Sequence, residues 1–429
     1  MKERIEHGDI SAVYKNALKK NIINPDDTSL IFYDLTYLKE RIEEAERAFP
    51  AGALNTSAIK ANPLIEVLKL IKNWGIGLEA ASLPEMYMAI KAGYDKKKIV
   101  FDSPAKTREE IKYAVSAGVL INADSLDELK TIDEAIQAYG VHAPVGLRVN
   151  PQSGLGKISI TSVAGEYSKF GVPVKEFRSE IIEAYLKYNW LTGIHLHSGS
   201  QGCPQELMLK GIETVYNLAI EINETLKSKS KNRKIEIFDI GGGFPVSYRK
   251  EEKPLSISDY AGAIKEKFPL LFSDHFKLVT EFGRYYYANA AFAISRVDNI
   301  KKQKGVTTVI SHLGADFLLR RAFNPEVWHH DISVMDNKGE FKYAAAQNKY
   351  VIGGPLCFAG DMIAKDIELP EIETGDYLII HDVGAYTLSM WSRYNSRQIP
   401  KVIGYCNNWN DFFVLRDRET LEDILEFWS

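Results

Sequence analysis

From about residue 29 onward the chain alternates short apolar runs with longer amphipathic stretches. The runs include Ser29–Tyr33, Thr56–Ile59, Ile76–Leu78, Ile99–Phe101, Val119–Ile121, Val145–Val149, Leu191–Leu196, Ile235–Phe238 and Lys277–Val279. They are rich in branched apolar residues and too short for helices, so they predict strands. Between most of them lie helical patterns, among them Pro84–Ala92, Thr107–Ala117 and Ser125–Tyr139. Several of these open on Ser, Thr or Pro, the residues that cap a helix or fill its first turn.

Repeated strand–helix units predict a parallel α/β architecture. About eight units over about 250 residues is the count of a (β/α)₈ barrel, with a doubly wound open sheet as the structural rival. After about residue 284 the texture changes. Val306–Ile310 and Tyr377–Ile380, with Gly and Pro between them, predict antiparallel strands. The expected organisation is a barrel over residues 29–284 and an antiparallel β domain formed by residues 1–28 and 285–429.

Composition narrows the class. The chain has 429 residues, 45% hydrophobic and 26% charged, with a formal net charge of -4. These are ordinary values for a globular protein. They supply no basic field for nucleic acid or an anionic membrane. No apolar run approaches the roughly 20 residues of a membrane span. The charged N-terminus lacks the apolar core of a signal peptide. Cys203, Cys357 and Cys406 have neither metal-ligand spacing nor an even framework, so a reducing cytoplasm is the expected location.

In a barrel of this kind, function gathers where the strands end. Lys60 follows Ser57–Ile59, and His197 and Ser200 follow Ile194–Leu196. Gly241, Gly242 and Gly243 follow Ile237–Ile240, while Glu281, Gly283 and Arg284 follow Leu278–Thr280. Alone, each has an ordinary reading: a solvated lysine, a hydrogen-bonded core histidine, a tight turn, a salt-bridged loop. Their convergence on strand ends suits pyridoxal phosphate. The amine of Lys60 can capture an aldehyde. Glycines, or a helix N-terminus, offer backbone N–H groups to a phosphate. A carboxylate such as Glu281 keeps a pyridine nitrogen protonated. A flat side chain such as His197 fixes the tilt of a ring.

These residues fall in a longer series. It comprises Ala58-Ile59-Lys60-Ala61-Asn62, Gly77-Leu78-Glu79-Ala80-Ala81-Ser82 with Glu85, Lys106 with Glu109-Glu110, and Leu147-Arg148-Val149-Asn150-Pro151. His195 to Gln201, Asp239 to Pro245 and Glu281-Phe282-Gly283-Arg284 follow. Last come Gly354-Pro355-Leu356-Cys357 with Asp361, and Gly384 to Thr387 leading to Tyr394-Asn395-Ser396-Arg397. In this order the chain resembles the fold-type III pyridoxal-phosphate decarboxylases, and among them the diaminopimelate decarboxylase branch, from about residue 29 to about 405.

The resemblance implies an N-terminal barrel, a C-terminal β domain and a homodimer with shared active sites. It implies that Lys60 holds the cofactor and that His197 stacks on its ring. Glu79 belongs to the same cofactor site. Ser200, the Gly241–Gly243 turn and Tyr386 would hold the phosphate. Glu281 would pair with the ring nitrogen, and Arg284, next to Gly283, would bind phosphate or a substrate carboxylate. Cys357, from the partner subunit, would protonate the substrate carbon after carbon dioxide leaves. Arg320, Asn324, Phe358, Asp361, Tyr386 and Asn395 would line the substrate site.

Three departures from the family pattern concern the substrate's far end. Phe358 stands after the cysteine where Glu or Asp is usual, and an apolar ring cannot neutralise a buried ammonium. Arg321 and Asn324 stand where Pro and Tyr are expected. Phe282 replaces a proline. The cofactor half of the site therefore matches the family and the distal half is altered. This predicts a substrate other than diaminopimelate, with an uncharged, anionic or conjugated distal group; Arg320 and Arg321 would suit a carboxylate. A diaminopimelate enzyme using other residues is the alternative.

Three further readings compete. A racemase would share the cofactor and the barrel, but the setting of Cys357 favours decarboxylation. A non-enzymatic regulator would lack Lys60 or Cys357. A metal-dependent hydrolase could use His195, His197, Glu281 and Asp382, yet that set explains neither the glycines nor Lys60, so no metal is expected.

Overall fold

A computed structural model describes residues 4–140, 144–158, 163–253, 255–343, 348–406 and 408–429. The chain divides into two compact units. One comprises Arg41–Val246 and Pro254–Tyr285, the other Met1–Glu40, Ser247–Lys253 and Tyr286–Ser429.

The first apolar run departs from the expected organisation. Strand β1 (Ser29–Asp34) is not a barrel strand. It pairs parallel to Lys401–Cys406 and antiparallel to Ala291–Arg296 in a sheet of the second unit. Its residues Leu30 to Tyr33 are all buried. A strand covered on both faces reads as a continuous apolar run in either kind of sheet. The helix Leu35–Ala48 that follows completes the disguise.

The other eight runs form the barrel. They are β2 (Leu54–Ala58), β3 (Gly77–Ala80), β4 (Ile99–Asp102), β5 (Leu120–Ala123), β6 (Val145–Asn150), β7 (Leu191–His195), β8 (Ile237–Asp239) and β9 (Lys277–Phe282). All neighbours are parallel, and β9 closes the ring on β2, with Thr280 beside Asn55 and Glu281 beside Thr56. The polar exceptions along these buried strands are therefore held inside the ring or at its rim.

Three successive strand–helix turns use the same device. Ser82, Thr107 and Ser125 cap their helices by accepting the N–H of Glu85, Glu110 and Glu128. Each glutamate then folds back onto a backbone N–H before the helix: Ala81 at 2.6 Å, Thr107 at 2.7 Å and Asp124 at 2.9 Å. A Ser/Thr-x-x-Glu spacing thus satisfies donors that a helix start leaves open, at about 1 kcal/mol per cap. It stiffens the loops at the barrel's carboxyl end.

The second unit carries two sheets. One has six strands, Ile332–Met335, Tyr377–Ile380, Ala291–Arg296, β1, Lys401–Cys406 and Asp411–Arg416; the other has four, from Asn299–Gln303 to Met362–Leu369. Both are mixed rather than wholly antiparallel, since Val306–Ile310 also runs parallel to Asn348–Gly353. Parallel neighbours here come from strands far apart in sequence, which local turn signals cannot reveal. The N-terminal helix His7–Lys19 buries Ile10, Val13, Tyr14 and Ala17 against Leu30, Phe32, Phe292, Ile379 and Ile403.

His7 and His381 anchor this helix. His7 stacks on Phe341 at 4.0 Å, and both His7 and His381 place Nε2 2.9 Å from the hydroxyl of Ser333. Burial, followed by nearby Lys250 and Arg4, lowers the pKa of His7 to about 4. Burial, then His7 and Arg4, lowers that of His381 to about 3; Asp331 opposes both shifts. A histidine whose folded pKa lies below its unfolded value stabilises the fold above that unfolded pKa and loses the contribution as pH falls. Between about pH 6.5 and 4, His381→Gln is expected to flatten the acid loss in melting temperature relative to wild type. Thermal scans of the two proteins across that window check it; parallel curves would contradict it.

Candidate active site

Lys60 lies one residue beyond β2, in the turn Ile59–Ala61. Its ammonium donates to Oε2 of Glu79, on β3. The lysine side chain is 40% exposed and the Glu79 side chain 0%, so the amine stands at the opening with its counterion beneath it. Burial pushes the Glu79 carboxyl up; Lys60 pulls it down, while Glu281 and Asp102 push it further.

Glu281, on β9, is enclosed and among the described residues has no hydrogen-bond partner for Oε1 or Oε2. Its nearest cationic neighbour is His195, the last residue of β7, whose Nε2 lies 3.5 Å from Oε2. Nδ1 of His197 lies 3.6 Å from the same oxygen. That nitrogen, however, accepts the Gly242 N–H at 3.1 Å, which leaves the His197 proton on Nε2. Burial opposes ionisation of Glu281, but His195 and then His197 outweigh it, and the carboxyl sits well below its ordinary range. Burial also lowers His197, against the pull of Glu281. The pair is therefore an anion beside a neutral ring.

The three glycines meet backbone directly. A Cβ on Gly241 would come within 2.5 Å of the Leu196 carbonyl; on Gly242 it would strike the Glu281 carbonyl, and on Gly243 the Gly199 carbonyl. Gly241 and Gly243 have φ of 65° and 92°, which side chains rarely adopt. The Gly241 N–H is held by Oδ1 of Asp239 at 2.8 Å. The next helix starts only at Ile257, so the anion-binding feature here is a glycine turn and not a helix N-terminus. Beside the turn, Arg284 donates to Ser200 Oγ at 3.2 Å, and Gly283 before it is buried.

This donor set fits pyridoxal phosphate. An amine faces the opening, a buried carboxylate waits for an N–H⁺ partner, and side-chain-free backbone lines a turn suited to phosphate. The trio His195, His197 and Glu281 has ligand atoms within 4.8 Å of one another. Asp382, the fourth metal ligand weighed above, belongs to the other unit. Because Nδ1 of His197 is engaged by Gly242, the trio is a poor metal cage.

The sequence reading did not assign the network beneath the site. Nδ1 of His195 lies 3.9 Å from Asp102 at the end of β4. Arg148, on β6, donates to Asp102 at 3.1 Å, lies 3.7 Å from Asp124 and covers the Phe170 ring at 4.5 Å. The available signal was charge inside or just after an apolar run, as at Arg148 and Asp102.

The remaining candidates lie in the second unit. The Cys357 thiol is exposed; the Cys357 N–H donates to Asn395 at 2.7 Å, and its carbonyl accepts from Tyr394 at 3.2 Å. Phe358 stacks on Phe323 at 5.9 Å and meets Tyr394 edge-on at 6.3 Å. The Arg320 guanidinium lies between Trp328 at 4.7 Å and Tyr386 at 4.5 Å. Tyr386, Asn395 and Ser396 all have positive φ, a concentration of backbone strain found at functional sites.

Two expected substrate ligands have other work. Asp361 is buried, and its oxygens accept the N–H groups of Ala315 at 2.6 Å and Leu356 at 2.7 Å. Arg321 donates to the carbonyls of Ile363, Pro325 and Trp328. Both fasten loops. Asn324 is the C-terminal cap of the short helix Leu319–Phe323, its N–H on the Arg320 carbonyl at 2.9 Å.

Residues 35–288 match the family described as pyridoxal-dependent decarboxylase, pyridoxal binding domain. The diaminopimelate decarboxylase of Aquifex aeolicus is 31% identical over 98% of this chain and 96% of its own. That of Methanothermobacter thermautotrophicus is 32% identical over 93% and 91%. The crystal structure of Helicobacter pylori diaminopimelate decarboxylase complexed with L-lysine superposes with a TM-score of 0.82 at 29% identity, covering 96% of this chain and 99% of that one. Among the described residues no helix is long and apolar enough to cross a membrane.

Proposed function

Because the chain belongs to the pyridoxal-dependent decarboxylases, we propose that it removes the carboxylate from the reacting carbon of a diaminopimelate-type amino acid. The observation that carries this is the barrel mouth, where the Lys60 amine and the partnerless carboxylate of Glu281 lie within one unit.

When bound, pyridoxal phosphate supplies an aldehyde for the amine and a protonated ring that accepts the electron pair freed with carbon dioxide. Lys60 holds the cofactor and later releases the product amine. Glu79 keeps the lysine placed and takes its charge while the amine is free. Glu281 faces the ring nitrogen as an anion. Neutral His197 lies against the ring and sets its tilt. The glycine turn, Ser200, Tyr386 and Arg284 hold phosphate. Cys357 of the partner subunit delivers a proton to the carbon that carbon dioxide leaves.

The printed names of the relatives favour meso-diaminopimelate as the substrate. A second reading is favoured by Phe358, packed on Phe323 beside the exposed Cys357. It is a substrate whose far end carries no cation. Carbon dioxide release from meso-diaminopimelate and a panel of neutral and acidic amino acids separates the two. Efficient turnover of meso-diaminopimelate supports the first; turnover of another amino acid with none of diaminopimelate supports the second. No release from any member, with cofactor bound, would contradict the decarboxylase assignment for this chain.

The shared-site dimer has its own test. Lys60→Ala and Cys357→Ala are each expected to be inactive. Subunits mixed in equal amounts and allowed to exchange should regain about a quarter of wild-type activity, because half the dimers then hold one complete site. No recovery after verified exchange would place both residues on one subunit.

A further inference from the structure

The geometry points to His195 as a positioning residue that acts on the cofactor site through Glu281. It does so as an imidazolium clamped between two buried carboxylates. The inference rests on the reading of the barrel mouth as a pyridoxal phosphate site.

Both nitrogens of the His195 ring face acid oxygens, Nε2 toward Glu281 at 3.5 Å and Nδ1 toward Asp102 at 3.9 Å. All three side chains are essentially excluded from solvent. A neutral imidazole has one N–H and one lone pair. In this slot the lone pair would point at a buried anion, which is costly in a medium of low dielectric. Two N–H groups meet both carboxylates without that conflict. Burial opposes the charge, but Asp102, Glu281 and Asp239 outweigh it and raise His195 to about 9.

The surrounding charges support the same arrangement. Arg148 fixes the far side of Asp102 at 3.1 Å, so Asp102 is a settled anion. The series Arg148, Asp102, His195, Glu281 then alternates in sign across the barrel. It ends at the carboxylate that awaits the ring nitrogen. His197, on the other flank of Glu281, is neutral and cannot take over the role. Asp239 on β8, Glu79 on β3 and Lys60 beyond β2 complete the charged groups facing this cluster. Removing the imidazolium leaves Glu281 among like charges, so it takes up a proton and no longer holds a protonated ring nitrogen.

The test uses cofactor-loaded wild type, His195→Gln, Glu281→Gln and the double variant. The visible absorbance of lysine-bound cofactor is titrated with pH, and kcat and KM are measured at saturating cofactor. His195→Gln is expected to shift the absorbance titration by about one pH unit or more and to lower kcat about 10²-fold with KM little changed. On the Glu281→Gln background the same change should cost less than about threefold, because the two residues act as a unit. Equal effects on both backgrounds, or an unchanged titration, would overturn the inference and leave the decarboxylase reading standing. Wild type that forms no visible band at all would instead remove the reading beneath it. Should His195→Gln fail to fold, Asp102→Asn decides. Loss of one flanking anion must lower the pH at which activity declines on the alkaline side; an unmoved decline overturns the inference.

Discussion

Lys60→Ala is expected to reduce carbon dioxide release by at least about 10³-fold, because no other group at the barrel mouth supplies the nucleophilic amine. The fold should survive. The lysine side chain is 40% exposed, and its removal chiefly strips Glu79 of a cation. A buried carboxylate left alone is costly as an anion, but Glu79 already titrates high and can accept a proton instead. Melting temperature near wild type together with lost turnover is the predicted pair of results. Activity within tenfold of wild type would assign the amine's role elsewhere.

The second large effect is expected at Glu281. Glu281→Ala should lower kcat by about 10²–10³-fold, a loss typical of removing a group aimed at charge that develops in the transition state. Substrate affinity should change little, since the carboxylate addresses the cofactor. The variant should also alter the histidines. His195 loses one of the two anions that hold its proton, so its pKa should fall from about 9. A histidine with a raised folded pKa stabilises the fold fully below its unfolded value and loses that contribution as pH rises through the folded one. Wild type should therefore lose stability on the alkaline side near that value, and Glu281→Ala should show less of that loss. Stability curves from neutral to alkaline pH, read beside kcat, check both statements.

Legibility in the sequence followed the range of the forces involved. The barrel was readable because eight strand–helix units each carry their own apolar run and cap. β1 was misassigned because its burial on both faces is the same in a mixed sheet, and its partners lie more than two hundred residues away. Lys60, Glu281 and the glycine turn were legible because strand ends converge in any barrel of this kind. Asp361 and Arg321 were not. Whether a carboxylate or guanidinium meets substrate or a backbone group depends on how distant loops fold back, here Gly314–Ala315 and Ile363. The chain Arg148–Asp102–His195 needed the ring closed before its members became neighbours.

The most direct test of the account is to fix the cofactor covalently where it sits. The purified protein is loaded with pyridoxal phosphate, reduced with borohydride, digested, and its peptides weighed. The account predicts one modified peptide, carrying the reduced pyridoxyl group on Lys60, with no label in Lys60→Ala. Label on a different lysine, or a loaded and folded protein with no label at all, would contradict it.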